Sequence, residues 1–196
     1  ESYSDANFLS IREAQMNAEK IVNNLCTVIT YDTGDKYDIH PFDKLPIGER
    51  MTAVALNKVY GKTDIADASP VFKEASVDGN KVLVTFDNVY DGISLQEGKR
   101  NITTWTEEYI EQYWPSFIGM PLEEDLAKGF QLCGADGEYY DATATVIGTN
   151  QVEVTCEEVA NPVGIRYAWK NCMLNCDRIV GSNGFPAAPF NVILAQ

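Results

Sequence analysis

The feature that most constrains the fold is a change in hydrophobic pattern near Asp64. From there on, the sequence consists of short runs in which apolar and polar residues alternate. Groups of turn-forming residues separate these runs, namely Asp78-Gly79-Asn80, Asp136-Gly137 and Gly148-Thr149-Asn150. Alternation with period two is typical of half-buried strands, and Asn, Asp and Gly favour the tight turns of hairpins. We therefore predict an antiparallel β-sandwich-like domain over residues 64–196.

An acidic and aromatic segment interrupts this pattern between about residues 92 and 128. We interpret it as an insertion that contains some helix. Its aromatic side chains either stack on a sugar ring or pack the insertion onto the sheet, and we favour packing. These side chains are Trp105, Tyr109, Tyr113, Trp114 and Phe117.

The first 63 residues follow a different pattern. Apolar residues at helical spacing predict a helix over about 5–24, capped by Asp5. The β-branched run Cys26–Tyr31 predicts one buried strand. Residues 45–62 predict a second helix, with Pro46 in its first turn and a glycine as its stop. The order helix, strand, loop, helix is typical of an α/β unit, so residues 1–63 are predicted to be the C-terminal part of an α/β domain.

The loop after the predicted strand contains His40, the single histidine of the chain. Loops at the carboxyl ends of strands commonly carry functional groups. A histidine that acts as a general base needs a carboxylate on its other ring nitrogen. Asp38, two positions earlier, can point the same way in an extended loop, and Pro41 disfavours a helical conformation at His40. The pattern indicates a catalytic Asp-His pair.

Other interpretations of this loop stay open. A lone histidine before a proline is often an ordinary loop residue. Four possible metal ligands, Asp32, Asp35, Asp38 and His40, lie within nine positions, but their spacing matches no EF-hand loop. Elsewhere, the Cys-x3-Cys spacing of Cys172 and Cys176 has no second cysteine pair to complete a zinc site, so a local disulfide or two buried thiols is the favoured interpretation.

The catalytic interpretation lacks a nucleophile. None of the eight serines follows a predicted strand in a G-x-S-x-G or Gly-Asp-Ser segment. If His40 is a general base, we therefore expect its serine in another segment. The chain opens at Glu1 with neither an initiator Met nor a signal-peptide pattern, which agrees with an expected upstream segment.

Charge limits the possible partners. The chain has 15 Lys and Arg against 29 Asp and Glu, a formal charge of −14. Such a charge repels phosphate backbones and anionic lipid surfaces, and no apolar run approaches the roughly 20 residues that cross a bilayer. We expect neither nucleic acid nor a membrane as a partner, and a neutral or small solute instead.

Several separated segments resemble one family. The segments "LSIREAQ" and "VITYDTGDKYDIHPFDKLPIGERMTAVALNKVYGK" resemble the end of the SGNH-type hydrolase domain of sialate O-acetylesterases and related bacterial carbohydrate acetylesterases. The later "NPVGIRYAW" and "GFPAAPF" are similar to the closing β segments of that family. The resemblance covers both ends of the chain and fails over the insertion at 92–128.

The resemblance implies a fold and a reaction. Residues 1–63 would end a three-layer αβα SGNH domain, and residues 64–196 would be an accessory β-sandwich-like domain. The chain would be a fragment or subunit of a carbohydrate O-acetylesterase with a Ser-His-Asp mechanism and no metal or cofactor. The serine would lie in a preceding segment or partner chain. The family also implies an extracellular, periplasmic or lysosomal location within the secretory pathway.

Site residues follow from the same resemblance. His40 takes the position of the family's catalytic histidine. The family commonly has its acid three positions before that histidine, where this chain has Tyr37, so we choose Asp38 as the acid, with Asp35 in reserve. Weak candidates for contacts with an O-acetylated carbohydrate are Arg166, Trp169 and Trp114. The alternative function is a non-catalytic carbohydrate-binding or interaction module.

Overall fold

The computed structural model describes residues 8–40 and 42–194. The predicted cap Asp5 and the predicted role of Pro41 lie outside these residues. The helices are α1 (Phe8–Ala18), α2 (Leu45–Val54), which continues as a π-helix (Ala55–Val59), and α3 (Glu107–Tyr113), followed by a 3-10 turn (Pro115–Phe117). The strands are β1 (Val71–Asp78), β2 (Lys81–Asp87), β3 (Ile93–Gln96), β4 (Phe130–Cys133), β5 (Tyr139–Val146), β6 (Gln151–Thr155), β7 (Gly164–Tyr167), β8 (Arg178–Gly181) and β9 (Phe190–Ile193).

The main element is a seven-stranded sheet with the order β1-β2-β6-β5-β4-β7-β9, which curls into a nearly closed barrel. Every pairing within it is antiparallel. A second sheet joins only β3 and β8. In the described ranges, no helix has the length and apolar character needed to span a membrane.

The predicted fold class is wrong. The described residues form a mostly antiparallel sheet with few helices, and not a three-layer αβα SGNH domain followed by a β-sandwich-like one. A three-layer domain needs a parallel sheet covered by helices on both faces. Here α1 has no buried residue, and α2 buries only Arg50. The division of the chain at residue 63 stays a prediction.

The predicted hairpin turns are confirmed. Gly79, with φ +61°, joins β1 to β2, and Gly137, with φ +82°, lies between β4 and β5. The third turn, at residues 148–150, joins β5 to β6. Positive φ values are the conformations that glycine adopts without a steric penalty.

The alternation of the strands builds the core of the barrel. On β2, Val82, Val84 and Phe86 are fully buried, and Val152 and Val154 on β6 lie beside them. The core also contains buried residues of β4, β7 and β9, which are Phe130, Leu132, Ile165, Tyr167 and Phe190. Residues on alternate positions of a strand face the same side, so the period-two pattern directly selects these side chains.

The predicted strand at Cys26–Tyr31 is wrong. Residues 25–30 have no regular secondary structure, and no strand pairing involves this segment within the part of the chain that the structure describes. A strand requires a neighbour for its backbone N–H and C=O groups. β-branched composition alone does not supply that neighbour.

The two predicted helices have different outcomes. The second is confirmed, since α2 and the π-helix end shortly before Gly61, which has φ +69°. The first is shorter than predicted, because Ile21 and Val22 lie beyond α1 and are 82% and 47% exposed. A helix without a packed apolar face depends on weak intrinsic propensity and ends early.

Tyr31 connects the first region to the barrel. Its hydroxyl lies 2.9 Å from the Tyr167 hydroxyl and donates to the carbonyl of Ala187 over 2.9 Å. Because Tyr31 uses its proton on Ala187, Tyr167 donates to Tyr31 and accepts from the backbone N–H of Ile179 at 2.8 Å. Burial raises the pKa of both phenols well above the ordinary value.

Both ends of the insertion meet one short segment, residues 174–177. Lys99 N–H donates to Leu174 O over 2.7 Å, and Ala127 N–H donates to Asn175 O over 3.0 Å. Gly98 lies so close to the Asn175 backbone that a Cβ would clash, and Gly129 is equally close to Asp177. The two stems are therefore held side by side.

Candidate active site

The loop that carries His40 begins at an ion pair. Arg50 donates from Nη1 to Asp32 Oδ1 over 2.7 Å and from Nη2 to Asp32 Oδ2 over 2.6 Å. Nη1 also donates to Ile29 O over 2.8 Å. The Arg50 side chain is 5% exposed and that of Asp32 is 13% exposed. Asp32 thus joins the loop to α2 through a bidentate pair of strong hydrogen bonds.

Asp38 and His40 lie together, as the sequence predicts. The backbone N–H of His40 donates to Asp38 Oδ1 over 2.7 Å, and His40 Nδ1 is 3.5 Å from the same oxygen. The His40 side chain is 79% exposed, and that of Asp38 is 23% exposed. The carboxylate therefore faces Nδ1, while the imidazole lies at the surface.

Hydrogen bonds to the charged form lower the pKa of Asp38. The largest cause is the backbone N–H of His40, and the indole N–H of Trp105 acts in the same direction. Partial burial opposes this effect. Asp38 is therefore ionised at neutral pH, which is the state that can stabilise an imidazolium.

Asp35 has other partners. Its Oδ2 accepts from Thr103 Oγ1 over 2.9 Å and from Thr104 N over 2.8 Å. Its Oδ1 accepts from the backbone N–H of Tyr37 over 2.9 Å. These bonds tie the loop to the insertion, and they direct the Asp35 carboxylate toward residues 103 and 104.

A cavity of about 690 Å³ lies beside this loop. Its walls come from α1, from the segment 27–31, from the loop 33–39 and from residues 171–174. Asp38 and Ile39 belong to its lining, together with apolar side chains such as Met16 and Met173. Asp38, one member of the candidate pair, thus borders a large and mainly apolar space.

The weak substrate candidates lie in different environments. Arg166 Nε donates to Gln131 Oε1 over 2.8 Å, and its guanidinium lies 4.0 Å from the ring centroid of Tyr139. Burial lowers the pKa of Arg166. Trp169 is half-buried. Trp114 is 46% exposed and lies parallel to Trp105 at 5.9 Å. The contacts of Arg166 are those of cross-strand packing, from β7 to β4 and β5.

The cysteines are free thiols in the described structure, including Cys172 and Cys176. Burial raises the pKa of Cys176 to about 11, so that it stays protonated at neutral pH. No group of three or more His, Cys, Asp or Glu side chains is placed to hold a metal ion among residues 8–40 and 42–194.

A solved structure matches most of the chain. It is a carbohydrate acetylesterase from Xanthomonas citri, with 27% sequence identity, a TM-score of 0.62 and coverage of 84% of this chain. The chain is similar to a carbohydrate acetylesterase. It spans 32% of the length of that structure's chain. No family model and no curated protein matches.

The similarity to carbohydrate acetylesterases confirms the resemblance that the sequence motifs indicate, and it supports a relationship to esterases. It does not extend to the roles of individual residues. His40 and Asp38 keep the status of predicted catalytic residues.

The sequence patterns did not predict the contact between Trp105 and Asp38. Its indole Nε1–H donates to Asp38 Oδ2 over 3.4 Å, across 67 positions of sequence. A buried indole N–H needs an acceptor, and this need is the one feature of the sequence that could have indicated a hydrogen bond from Trp105. Nothing in the local pattern of the insertion indicates which acceptor that is.

Proposed function

We propose that this chain is part of a carbohydrate O-acetylesterase in which His40 is the general base and Asp38 orients it. The observation that carries the proposal is the Asp38–His40 pair, in which Oδ1 lies 2.7 Å from the backbone nitrogen and 3.5 Å from Nδ1. The similarity to a carbohydrate acetylesterase supports the reaction class.

The proposed reaction is acyl transfer to a serine outside this chain. His40 Nε2 accepts the serine proton as the oxygen attacks the acetyl carbonyl, and the ionised Asp38 stabilises the imidazolium. The C–O bond to the sugar then breaks, and His40 returns the proton to the leaving sugar hydroxyl. Water, activated by His40, hydrolyses the acetyl-serine to acetate and free serine.

The proposed serine-bearing segment has a surface to bind. Residues 25–30 have no regular secondary structure, and two apolar side chains that line the same cavity, Ile11 and Ile39, are more than half exposed. The cavity of about 690 Å³ opens among these elements. Exposed apolar side chains around a cavity are typical of an interaction surface. Strand addition at residues 26–31 would also satisfy backbone groups that lack a described ladder.

The test is His40→Ala in the full-length protein, assayed with a chromogenic acetyl ester. General-base catalysis contributes about 10²- to 10⁴-fold to the rate, so its loss should lower kcat by that factor. The control is Asp43→Asn, an exposed position in the same loop whose nearest cation is Lys99 at 4.0 Å. Near-normal turnover of His40→Ala would contradict the proposal.

A companion comparison identifies the acid. Asp38→Asn should lower kcat strongly because Asp38 alone faces His40 in the described structure. Asp35→Asn should chiefly weaken the tie to Thr103 and Thr104 and lower thermal stability. The reverse ranking of the two kcat values would move the acid to Asp35.

The alternative is a non-catalytic carbohydrate-binding module. The half-exposed Trp114, with the exposed ring of Tyr113 beside it in α3, is the observation in its favour, because flat aromatic faces suit sugar rings. Sugar binding without ester hydrolysis, both in the full-length protein and in this chain alone, would support the alternative. Hydrolysis by the full-length protein alone would support the proposed esterase.

A further inference from the structure

We infer that Trp105, from the insertion, is a positioning residue that holds the Asp38 carboxylate in the orientation in which it faces His40. The inference rests on the proposed function. It assigns a role in the reaction to the part of the chain that the family resemblance does not cover.

The two carboxylate oxygens of Asp38 have separate partners. Oδ1 accepts from the backbone N–H of His40 and lies near Nδ1. Oδ2 accepts from Trp105 Nε1 over 3.4 Å. A carboxylate with one fixed oxygen can still rotate about its Cβ–Cγ bond, because that torsion is broad. A donor on the second oxygen removes this rotation and so keeps Oδ1 on the histidine.

Trp105 is itself rigidly placed. It is 8% exposed. Its ring stacks on Trp114 with an interplanar angle of 4°, and Phe117 meets it edge-on at 5.6 Å. Its backbone N–H donates to Thr103 Oγ1 over 3.2 Å, and that hydroxyl donates to Asp35. A donor fixed by packing and hydrogen bonds loses little entropy when it orients its acceptor.

The insertion holds the whole stretch that leads to Asp38. Lys36 forms an ion pair with Glu124, and the Tyr37 hydroxyl donates to Pro121 O over 2.6 Å. Asp35 is bonded to Thr103 and Thr104, as described above. Each of the four residues from 35 to 38 therefore contacts the insertion. The bond from Trp105 is the last of this series and the one that reaches the proposed acid.

Trp105→Phe in the full-length protein separates the donor from the ring, because phenylalanine keeps an aromatic side chain and lacks the N–H. We expect kcat to fall about 10-fold with KM unchanged, the size typical of one hydrogen bond to a charged group. Tyr60→Phe is the control, since it also removes the polar group of an aromatic side chain, and Tyr60 is 72% exposed at the end of the π-helix. The kcat of this control variant should stay within about twofold of that of the unmodified protein, as expected for a surface substitution.

A double-mutant cycle distinguishes positioning from simple packing. If Trp105 acts through Asp38, Trp105→Phe should cause no further loss of kcat in an Asp38→Ala background, measured with a fluorogenic acetyl ester. An equal loss in both backgrounds would overturn the inference, because the indole would then act only on the general fold.

A titration provides a readout that does not depend on activity. Loss of the indole N–H should raise the pKa of Asp38, which carboxyl ¹³C NMR can follow, and Tyr60→Phe should leave that pKa unchanged. An unchanged Asp38 pKa in Trp105→Phe would overturn the inference while the proposed function still stood. Full activity of His40→Ala would instead remove the proposed function and the inference together.

Discussion

At the scale of single residues, Asp177 shows how burial sets the charge of one carboxyl group. Its side chain is 13% exposed, and burial raises its pKa above the ordinary value. The backbone N–H of Gly129 donates to Oδ1 over 2.5 Å, and Lys128 Nζ lies 3.9 Å from Oδ2; both lower the pKa but do not outweigh burial. The folded state therefore binds the proton of Asp177 more tightly than the unfolded chain does.

This shift predicts a pH-dependent effect of Asp177→Asn. A carboxyl whose pKa is raised by folding destabilises the protein when ionised, at pH values above the folded pKa. That penalty disappears as the pH falls through the folded pKa toward the unfolded value. An asparagine keeps an oxygen for Gly129 and carries no charge, so Tm should rise at pH 7.

The same variant should gain progressively less as the pH is lowered, measured by thermal unfolding between pH 7 and pH 3. A gain that is constant with pH, or a loss at pH 7, would contradict this account of Asp177. Gln131→Glu is not a suitable control, because Gln131 bonds to both Asp141 and Arg166. Asp87→Asn is better matched, since Asp87 is 52% exposed in its pair with Lys73.

The pair Asp38 and His40 could be predicted as neighbours from the sequence because two positions in one loop suffice to bring them together. The bond from Trp105 to Asp38 could not be predicted in this way. It joins segments 67 positions apart, and only the packing of the insertion on the loop creates it. Local sequence patterns indicate only local geometry. The hydrogen-bond donor to the second oxygen of Asp38 belongs to a distant segment, so such patterns do not predict it.

At the scale of elements, the attachment of α2 depends on Arg50. The guanidinium is nearly buried and bonds to both oxygens of Asp32 and to Ile29 O, so it connects the helix to the segment 26–31 and to the start of the His40 loop. Removing one member of a buried pair leaves the other charge without compensation.

Arg50→Ala should therefore lower the free energy of unfolding by about 3–5 kcal/mol, measured by urea denaturation. Lys73→Ala provides the control, since the Lys73–Asp87 pair has side chains 50% and 52% exposed. Exposed pairs contribute about 0–1 kcal/mol. Similar losses in the two variants would contradict the assigned role of Arg50.

The elements that the sequence predicted well are those whose signals are local. The hairpin turn at Gly79 and the helix that begins near Pro46 both depend on residues a few positions apart. The strand predicted at 26–31 failed because a strand is completed by a distant partner, and none of the described segments pairs with it. A β-branched run indicates a preference for extended backbone and gives no information about pairing.

At the scale of the whole molecule, the core lies in the barrel. The buried core residues extend from Val82 to Leu194, and among the described residues of the first 63, Tyr31 packs against them. The prediction of a three-layer αβα domain failed because the core lies in the barrel and not in the first 63 residues. The first region has helices with few buried residues, so it does not form the covered layers of such a domain.

We therefore predict that residues 64–196 fold without the first 63. The fragment should unfold in one cooperative transition by calorimetry and circular dichroism, because it keeps the seven-stranded sheet and its core. Its Tm should be lower than that of the whole chain, since Tyr167 loses its bond to Tyr31. A Tyr31→Phe variant of the whole chain measures that bond alone. A fragment without a cooperative transition would show that the boundary is misplaced.

The closeness of Gly98 and Gly129 to residues 174–177 has a consequence for how the insertion could have been acquired and could be exchanged. Its two stems emerge side by side from one anchoring point on the barrel. A segment of different length could be grafted between them without any change in strand register, provided that both glycines stay. Variation in this region is thereby separated from the strand register of the barrel, and a library of replacement loops that keeps the contacts to residues 35–38 would sample new surfaces beside His40.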